Sequence, residues 1–343
     1  MKAIRVGIIR CDLHAAYYAA LFARHDPLKL RHHHQTKSGK IKYSWQTGGA
    51  YFYHYLLYNQ PLKMTAPFVP GFRLTKLWDE EREFAELMSD IFLDKPRVCD
   101  TYEEVSDDVD LVFIADCNGD GSDHLRLATP GLDKRVPTFI DKPFAYHIDD
   151  AVKIVELAQR RQTPILSISI LRTVPEAQLF RRRLPEVGGL AFGSIRGGGI
   201  SMAGHIHAIS LAQHIFGDGV ESVEAMGQNE LGFVHLNYGG RKDRPSHGVT
   251  LNCDTGPTWH CAFYASAFGP EGAIHSGPIS DFVFPKGAAI NVRLAKRMVL
   301  TRRPPVPYDE MLENIAVATA ARRAQKSGRT VRLSEVWERG ARS

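Results

Sequence analysis

The sequence predicts an α/β protein of two domains: an N-terminal, Rossmann-like, doubly wound parallel sheet, then an α+β domain. Three observations predict it. Short apolar runs, Ile4–Ile9, Leu111–Ala115 and Pro137–Asp141, suit strands buried on both faces. Helical stretches separate them, and strands that alternate with helices imply a parallel sheet. After the third run, Phe139-Ile140-Asp141-Lys142-Pro143-Phe144 delivers an acid and a lysine into a turn, and a second region begins beyond the next helix.

Taken in order, Ile4–Ile9 is the first strand, and Asp12 can cap a helix over Leu13 to Arg24. Asp26 to Gly71 is irregular, with His32-His33-His34, a Lys-rich patch and the aromatic run Tyr51 to Tyr55. A loop of this length is usually functional or covers something. It either lies at the sheet edge or folds back to line the cleft. Phe72 to Asp79 reads as the second strand, Glu81 to Phe92 as a helix, Val98-Cys99 as a brief strand and Tyr102 to Val105 as a helical turn. The loop Asp116 to Asp123 follows Leu111–Ala115, a helix begins near Ser122, and Pro137 to Asp141 is the next strand. Asp149 to Arg161 is an amphipathic helix, and Ile165 to Ile170 is a strand leaving through Leu171-Arg172-Thr173. Beyond it lie the helix His205 to Phe216, Gly-rich turns, the connector Pro304 to Pro307, and a helix from Tyr308 to Lys326 closed by Gly328. The division is residues 1–145, with the insert at about 26–71, and residues 146–343.

The chain has 343 residues, enough for two cores, and a formal net charge of +5. Its basic residues are scattered and its charge runs short, which argues against a nucleic-acid partner. No apolar run is long enough to span a bilayer. Five cysteines form no CxxC pair, and the odd count argues against a disulfide framework. No signal peptide fits before the first strand. The expectation is a soluble, cytoplasmic protein.

In doubly wound sheets, ligands sit outside the carboxyl ends of the strands. That puts Arg10–His14, Asp79, Asp116–Asn118 and Asp141-Lys142 along one rim. Lys142 is the leading catalytic candidate: an amine at the end of a buried strand, beside a stiffening proline, can exchange a proton, or it pairs with Asp141 instead. On the second-domain helix, His207, Ser210 and His214 fall at i, i+3 and i+7, away from Ile206, Ile209 and Ile215, so His207 can look into a cleft. Arg172 can fork onto a substrate oxygen or form a structural ion pair. Asp79 can accept from ribose hydroxyls, favouring NAD over NADP, or cap the next helix. Asp12 and His14 can form a site of their own. His205, His207, Cys253, Asp254, His260 and Cys261 supply zinc-type ligands, but nothing fixes their convergence, so no metal is assigned.

In order and spacing, these motifs resemble the Gfo/Idh/MocA family of nicotinamide-dependent oxidoreductases. The Phe139–Phe144 stretch is similar to that family's Glu-Lys-Pro signature, with Asp141 for the Glu. Asp149 to Ala158 resembles its linking helix, and Arg172 with Pro175 its Arg and Pro after the next strand. Gly204-His205-Ile206-His207 through Gly217 resembles the helix that bears a functional His, and Val306-Pro307-Tyr308 through Leu333 its C-terminal helix and tail. Two departures stand out. The G-x-G-x-x-G turn falls on Arg10-Cys11-Asp12-Leu13-His14-Ala15, which sets a carboxylate near phosphate. The acid four residues before the functional His is Ala203. The chain is similar to a divergent subgroup with Asp and His in this turn.

The resemblance implies an open, mostly antiparallel second sheet and a homodimer or homotetramer. It implies Lys142 and His207 as catalytic pair, with Arg172, His14 and Ser210 towards a small-molecule substrate. Asp12, Asp79, Asn118 and Asp141 fall towards NAD or NADP. The expected activity is an NAD(P)-dependent dehydrogenase or reductase of a sugar, polyol or related hydroxy compound. The alternative is a non-redox member, a binding or regulatory protein or a lyase-like enzyme, with an impaired dinucleotide site.

Overall fold

The structure, a computed structural model, describes residues 2–32, 35–41, 68–199, 201–228, 230–254, 262–280 and 283–340. The triple-histidine segment lies partly outside them, and the aromatic run and His260-Cys261 wholly so.

The first sheet has six parallel strands: β1 Ile4–Ile9, β2 Phe72–Trp78, β3 Arg97–Val98, β4 Leu111–Ile114, β5 Thr138–Ile140 and β6 Ile165–Leu166. Their spatial order is β3-β2-β1-β4-β5-β6, the order of a doubly wound dinucleotide fold. The direction of winding reverses between β1 and β4, which opens a crevice at their carboxyl ends. Gly7 in β1 has a local cause: a Cβ there would stand 2.5 Å from the Val105 carbonyl oxygen. Helices α1 Leu13–Ala20, α2 Pro27–Arg31, α3 Arg82–Ile91, α4 His124–Asp133 and α5 Ile148–Arg160 lie between or beside these strands.

Two expectations are corrected. The first helix ends at Ala20, not Arg24. The strand expected over Ile165 to Ile170 stops at Leu166, and Ile170–Arg172 forms a 3₁₀ turn. Ser169 explains the second: its hydroxyl caps that turn by accepting from Leu171 N at 3.2 Å, and this local bond competes with the ladder.

The second sheet has eight strands: β7 Phe192–Arg196, β8 Ser222–Met226, β9 Phe233–Asn237, β10 Val249–Asn252, β11 Ala262–Gly269, β12 Gly272–His275, β13 Ile279–Ser280 and β14 Val331–Arg332. Its main path is β12-β11-β7-β10-β9-β8-β14, and only the β7–β10 pair is parallel. The remaining helices are α6 Pro175–Arg183, α7 Met202–Phe216, α8 Phe284–Thr301, α9 Tyr308–Ser327 and α10 Leu333–Gly340. One face of this sheet is open. Register places Tyr264, Arg196, Asn252, Phe233 and Met226 in one row across it, and Tyr264, Phe233 and Met226 are exposed.

Under the rim, aromatic packing fixes α1 on the first sheet. Phe113 and Phe139 stack at 4.5 Å, and Tyr18 tilts over them at 5.0 and 5.6 Å. Each such pair contributes about 0.5–1.5 kcal/mol beyond its burial. The Tyr18 hydroxyl also accepts from Asn291 Nδ2 at 3.2 Å, which ties α1 to α8. Among the described residues, no helix is long and apolar enough to cross a membrane.

Candidate active site

The turn after β5 carries the densest polar constellation. Asp141 is 1% exposed, and its backbone N–H still bonds the end of β4. Its carboxylate accepts from Lys142 N at 2.8 Å, from Asp116 N at 3.0 Å, and meets His14 Nδ1 at 2.5 Å. One acid therefore joins the ends of β4 and β5 to α1. Burial opposes charge on His14, but the charges of Asp141 and Cys117 and their hydrogen bonds outweigh it and raise its pKa well above the ordinary value. That direction favours the protonated ring.

Lys142 is also buried. Its ammonium donates to Cys117 O at 2.7 Å and to Ala203 O at 3.2 Å. The Lys142–Pro143 peptide is cis. The second bond crosses to α7, four residues before His207. Ala203 lacks the expected carboxylate, and its backbone carbonyl holds the lysine instead.

Gly204 lets the start of helix α7 pack against the segment that follows β7. A Cβ at that position would meet Gly198 O at 1.8 Å. His207 is 8% exposed, and its Nδ1 lies 2.6 Å from Ser169 Oγ, with the ring edge-on to Phe263. Burial pushes its pKa well below the ordinary value, and the charges of Lys142 and His14 push the same way. That direction favours the neutral imidazole, with the ring oriented by a serine instead of an acid. Sequence reasoning missed Ser169. Its signal would have been the early end of β6, which hydrophobic pattern does not show.

Ser210, Lys142, Ser169 and Arg172 line a small cavity of about 30 Å³ with Ser167 and Asn314. Arg172 is already engaged: Nη1 donates to Gln213 Oε1 at 3.2 Å, and Nη2 pairs with Glu310. On its other side a larger cavity of about 470 Å³ opens towards Arg181 and Arg244.

The crevice between β1 and β4 holds the remaining predicted residues. Asp12 caps α1, its Oδ1 accepting from Ala15 N at 3.0 Å, and Oδ2 accepts from Cys117 N. Asp79 accepts from Cys11 N at 2.7 Å and Glu81 N at 2.9 Å. Arg10 has a left-handed φ of 70° and pairs with Glu80 at 3.4 Å, Asp116 at 3.6 Å and Asp123. For a residue with a Cβ, that φ costs about 1–2 kcal/mol. Asn118 is exposed on the β4 loop. A dinucleotide's pyrophosphate needs open backbone N–H groups at this turn. Here carboxylates fill them, so the turn as arranged does not fit that group.

The described members of the zinc-type set, His205, His207, Cys253 and Asp254, do not assemble into a metal site. His205 Nε2 bonds Gly199 O at 2.9 Å, and burial pushes the Cys253 thiol up to about 12. Among the described residues, no three His, Cys, Asp or Glu side chains are placed to share a metal.

Comparison with known proteins bears on this geometry. Residues 49–168 match the model of the GFO_IDH_MocA family, described as an oxidoreductase family with an NAD-binding Rossmann fold. The departing first turn lies outside that stretch. A search of curated proteins gave no match. Among solved structures, GenD2 from gentamicin A biosynthesis, in complex with NAD, is 14% identical with a TM-score of 0.71, over 97% of both chains. Scyllo-inositol dehydrogenase from Lactobacillus casei, with NAD(H) and scyllo-inositol bound, is 12% identical with a TM-score of 0.70, over 97% of this chain and 100% of that one. An oxidoreductase from Agrobacterium radiobacter, in complex with NAD+, L-tartaric acid and magnesium, is 15% identical with a TM-score of 0.67, over 97% and 99%. At these identities the likeness is one of fold. Over residues 49–168 the chain is therefore similar to the Gfo/Idh/MocA oxidoreductase family, and over nearly its whole length it shares the two-sheet fold of these structures.

Proposed function

We propose that this protein is a cytoplasmic NAD(P)-dependent dehydrogenase or reductase acting on a hydroxyl of a sugar, polyol or related compound. The observation that carries the reading is the bond from the Lys142 ammonium to Ala203 O, on the helix that bears His207. The lysine ammonium reaches the helix of a buried, neutral imidazole, with small polar side chains around both. In this reading a substrate oxygen displaces one of the two carbonyls on Lys142, and the ammonium then holds the oxygen. His207, neutral at physiological pH, takes or returns its proton. Ser169 fixes the ring, and the His14 charge discourages a second proton from settling on His207. A carboxylate at the end of β2 favours NAD over NADP, because it repels a 2′-phosphate.

A second reading is favoured by the filled first turn: a non-redox enzyme that uses Lys142 and His207 for proton transfer alone. Titration with NAD and NADP, followed by thermal shift and Trp fluorescence, separates the two. Scyllo-inositol, myo-inositol and L-tartrate serve as trial substrates, with nicotinamide absorbance as readout. The dehydrogenase reading expects one nucleotide to bind at millimolar concentration or below and a trial hydroxy compound to be oxidised. Binding of neither nucleotide rejects it and leaves the proton-transfer reading.

The open sheet face, with its row of exposed Tyr264, Phe233 and Met226, supports self-association as a dimer or tetramer. Size-exclusion chromatography with light scattering is expected to give two or four times the mass of 38.3 kDa. A monomer at micromolar concentration refutes it.

A further inference from the structure

The first turn carries more than a missing glycine pattern. Five acids and one arginine close the β1/β4 crevice from both sides. Asp12 spans it, with one oxygen on Ala15 N of α1 and the other on Cys117 N of the β4 loop. Asp79 takes Cys11 N from the β2 side. Arg10 lies across the same gap and is paired with Glu80 from the β2 side and with Asp116 and Asp123 from the β4 side. An incoming pyrophosphate would meet a carboxylate at the helix N-terminus and a guanidinium already neutralised. Unlike charges that are only partly exposed interact more strongly than they would in water, so this arrangement does not yield to weak competition.

We propose that Asp12 and Arg10 form a latch, in which the Asp12 carboxylate stands in for the pyrophosphate and must leave before a dinucleotide is bound. Opening frees Ala15 N and Cys117 N for phosphate oxygens and lets the Arg10 guanidinium turn from Asp123 to the same phosphates. The latch rests on the dehydrogenase reading only for the identity of its ligand. The donors and the carboxylate that fills them belong to the turn itself. Its consequence is a nucleotide affinity set by the cost of displacing an internal anion, rather than by contacts to adenine or nicotinamide.

The test compares the full-length protein with Asp12→Ser, which keeps a helix cap but removes the charge and is too short to hold Cys117 N. Isothermal titration uses three probes: NAD, ADP-ribose, which has the pyrophosphate without nicotinamide, and adenosine, which has no phosphate. Asp12→Ser is expected to tighten NAD and ADP-ribose by about tenfold or more and leave adenosine unchanged, since one unfavourable charge contact of about 1.4 kcal/mol corresponds to a factor of ten. Equal gains for adenosine overturn the latch, because the effect is then not on phosphate. Unchanged or weaker binding in a variant that melts like the parent also overturns it. So does a variant that binds no phosphate-bearing probe, because something other than Asp12 then excludes nucleotide. Asp12→Gly repeats the comparison if the serine protein melts early. The two readings fail separately: tighter ADP-ribose binding with no oxidation of any trial substrate keeps the latch and rejects the dehydrogenase. Tight NAD binding by the parent, with no gain in the variant, does the reverse.

Discussion

Lys142→Met is expected to lower turnover of whichever trial substrate is oxidised by at least about a hundredfold, the lower end of what a positioned acid–base group contributes. The methionine keeps the length and the apolar stem and removes the ammonium. It also leaves Cys117 O and Ala203 O without their lysine donor. Each acceptor left unsatisfied costs about 1–3 kcal/mol, so a lower melting temperature is expected as well. A purely structural lysine would give that instability and no more. The distinguishing measurement is the His207 pKa, read from ring NMR or from the acid limb of the pH–rate profile. The Lys142 charge helps hold that pKa down, so its removal moves the pKa upward. A folded Lys142→Met protein with parental turnover and an unmoved His207 titration would refute the assignment.

What the sequence shows and hides follows from the range of each interaction. Strands β1, β4 and β5 are legible because strands covered on both faces are continuous apolar runs. The Asp12 cap is legible because its partner Ala15 is three residues away. Its second bond, to Cys117, spans 105 residues and leaves no local trace. The same holds for Arg172, whose partner Glu310 is 138 positions on, and for His207, held by Ser169 from 38 residues upstream. The end of β6 was misjudged for a related reason. Ile165 to Ile170 has strand composition, but a serine hydroxyl offers the backbone another bond, and a turn follows. Motif order points to Lys142 and His207 as candidates, whereas Ser169 and the two carbonyls on Lys142 need coordinates.

Asp141→Asn is expected to give the largest loss of stability, and the loss depends on pH in a direction the structure sets. The amide is isosteric, but its single carbonyl oxygen can keep only one of the two backbone bonds, because Lys142 N and Asp116 N donate to different oxygens of the carboxylate. It cannot neutralise His14, a buried imidazolium whose leading charge partner is this carboxylate. Removing one member of a buried ion pair costs about 3–5 kcal/mol. His14 has a folded-state pKa raised above its unfolded value of about 6.5. Its contribution is therefore fully present below about pH 6.5 and is lost as pH rises through the folded pKa. The difference between parent and variant, from urea unfolding followed by Trp fluorescence, should be largest near pH 6 and shrink as pH rises through the raised folded-state pKa of His14. A difference independent of pH would mean that the pair contributes packing and not charge. The effect is also expected to reach the second domain, because burial first, and then the charges of Lys142 and His14, hold the His207 pKa down. In Asp141→Asn that charge is discharged at neutral pH, so the His207 pKa should rise even though the substituted residue makes no bond to it. One carboxylate at the end of β5 is thus expected to raise the His14 pKa directly and, through the His14 charge, to add to the burial and the Lys142 charge that lower the His207 pKa, a coupling between the two halves of the proposed site.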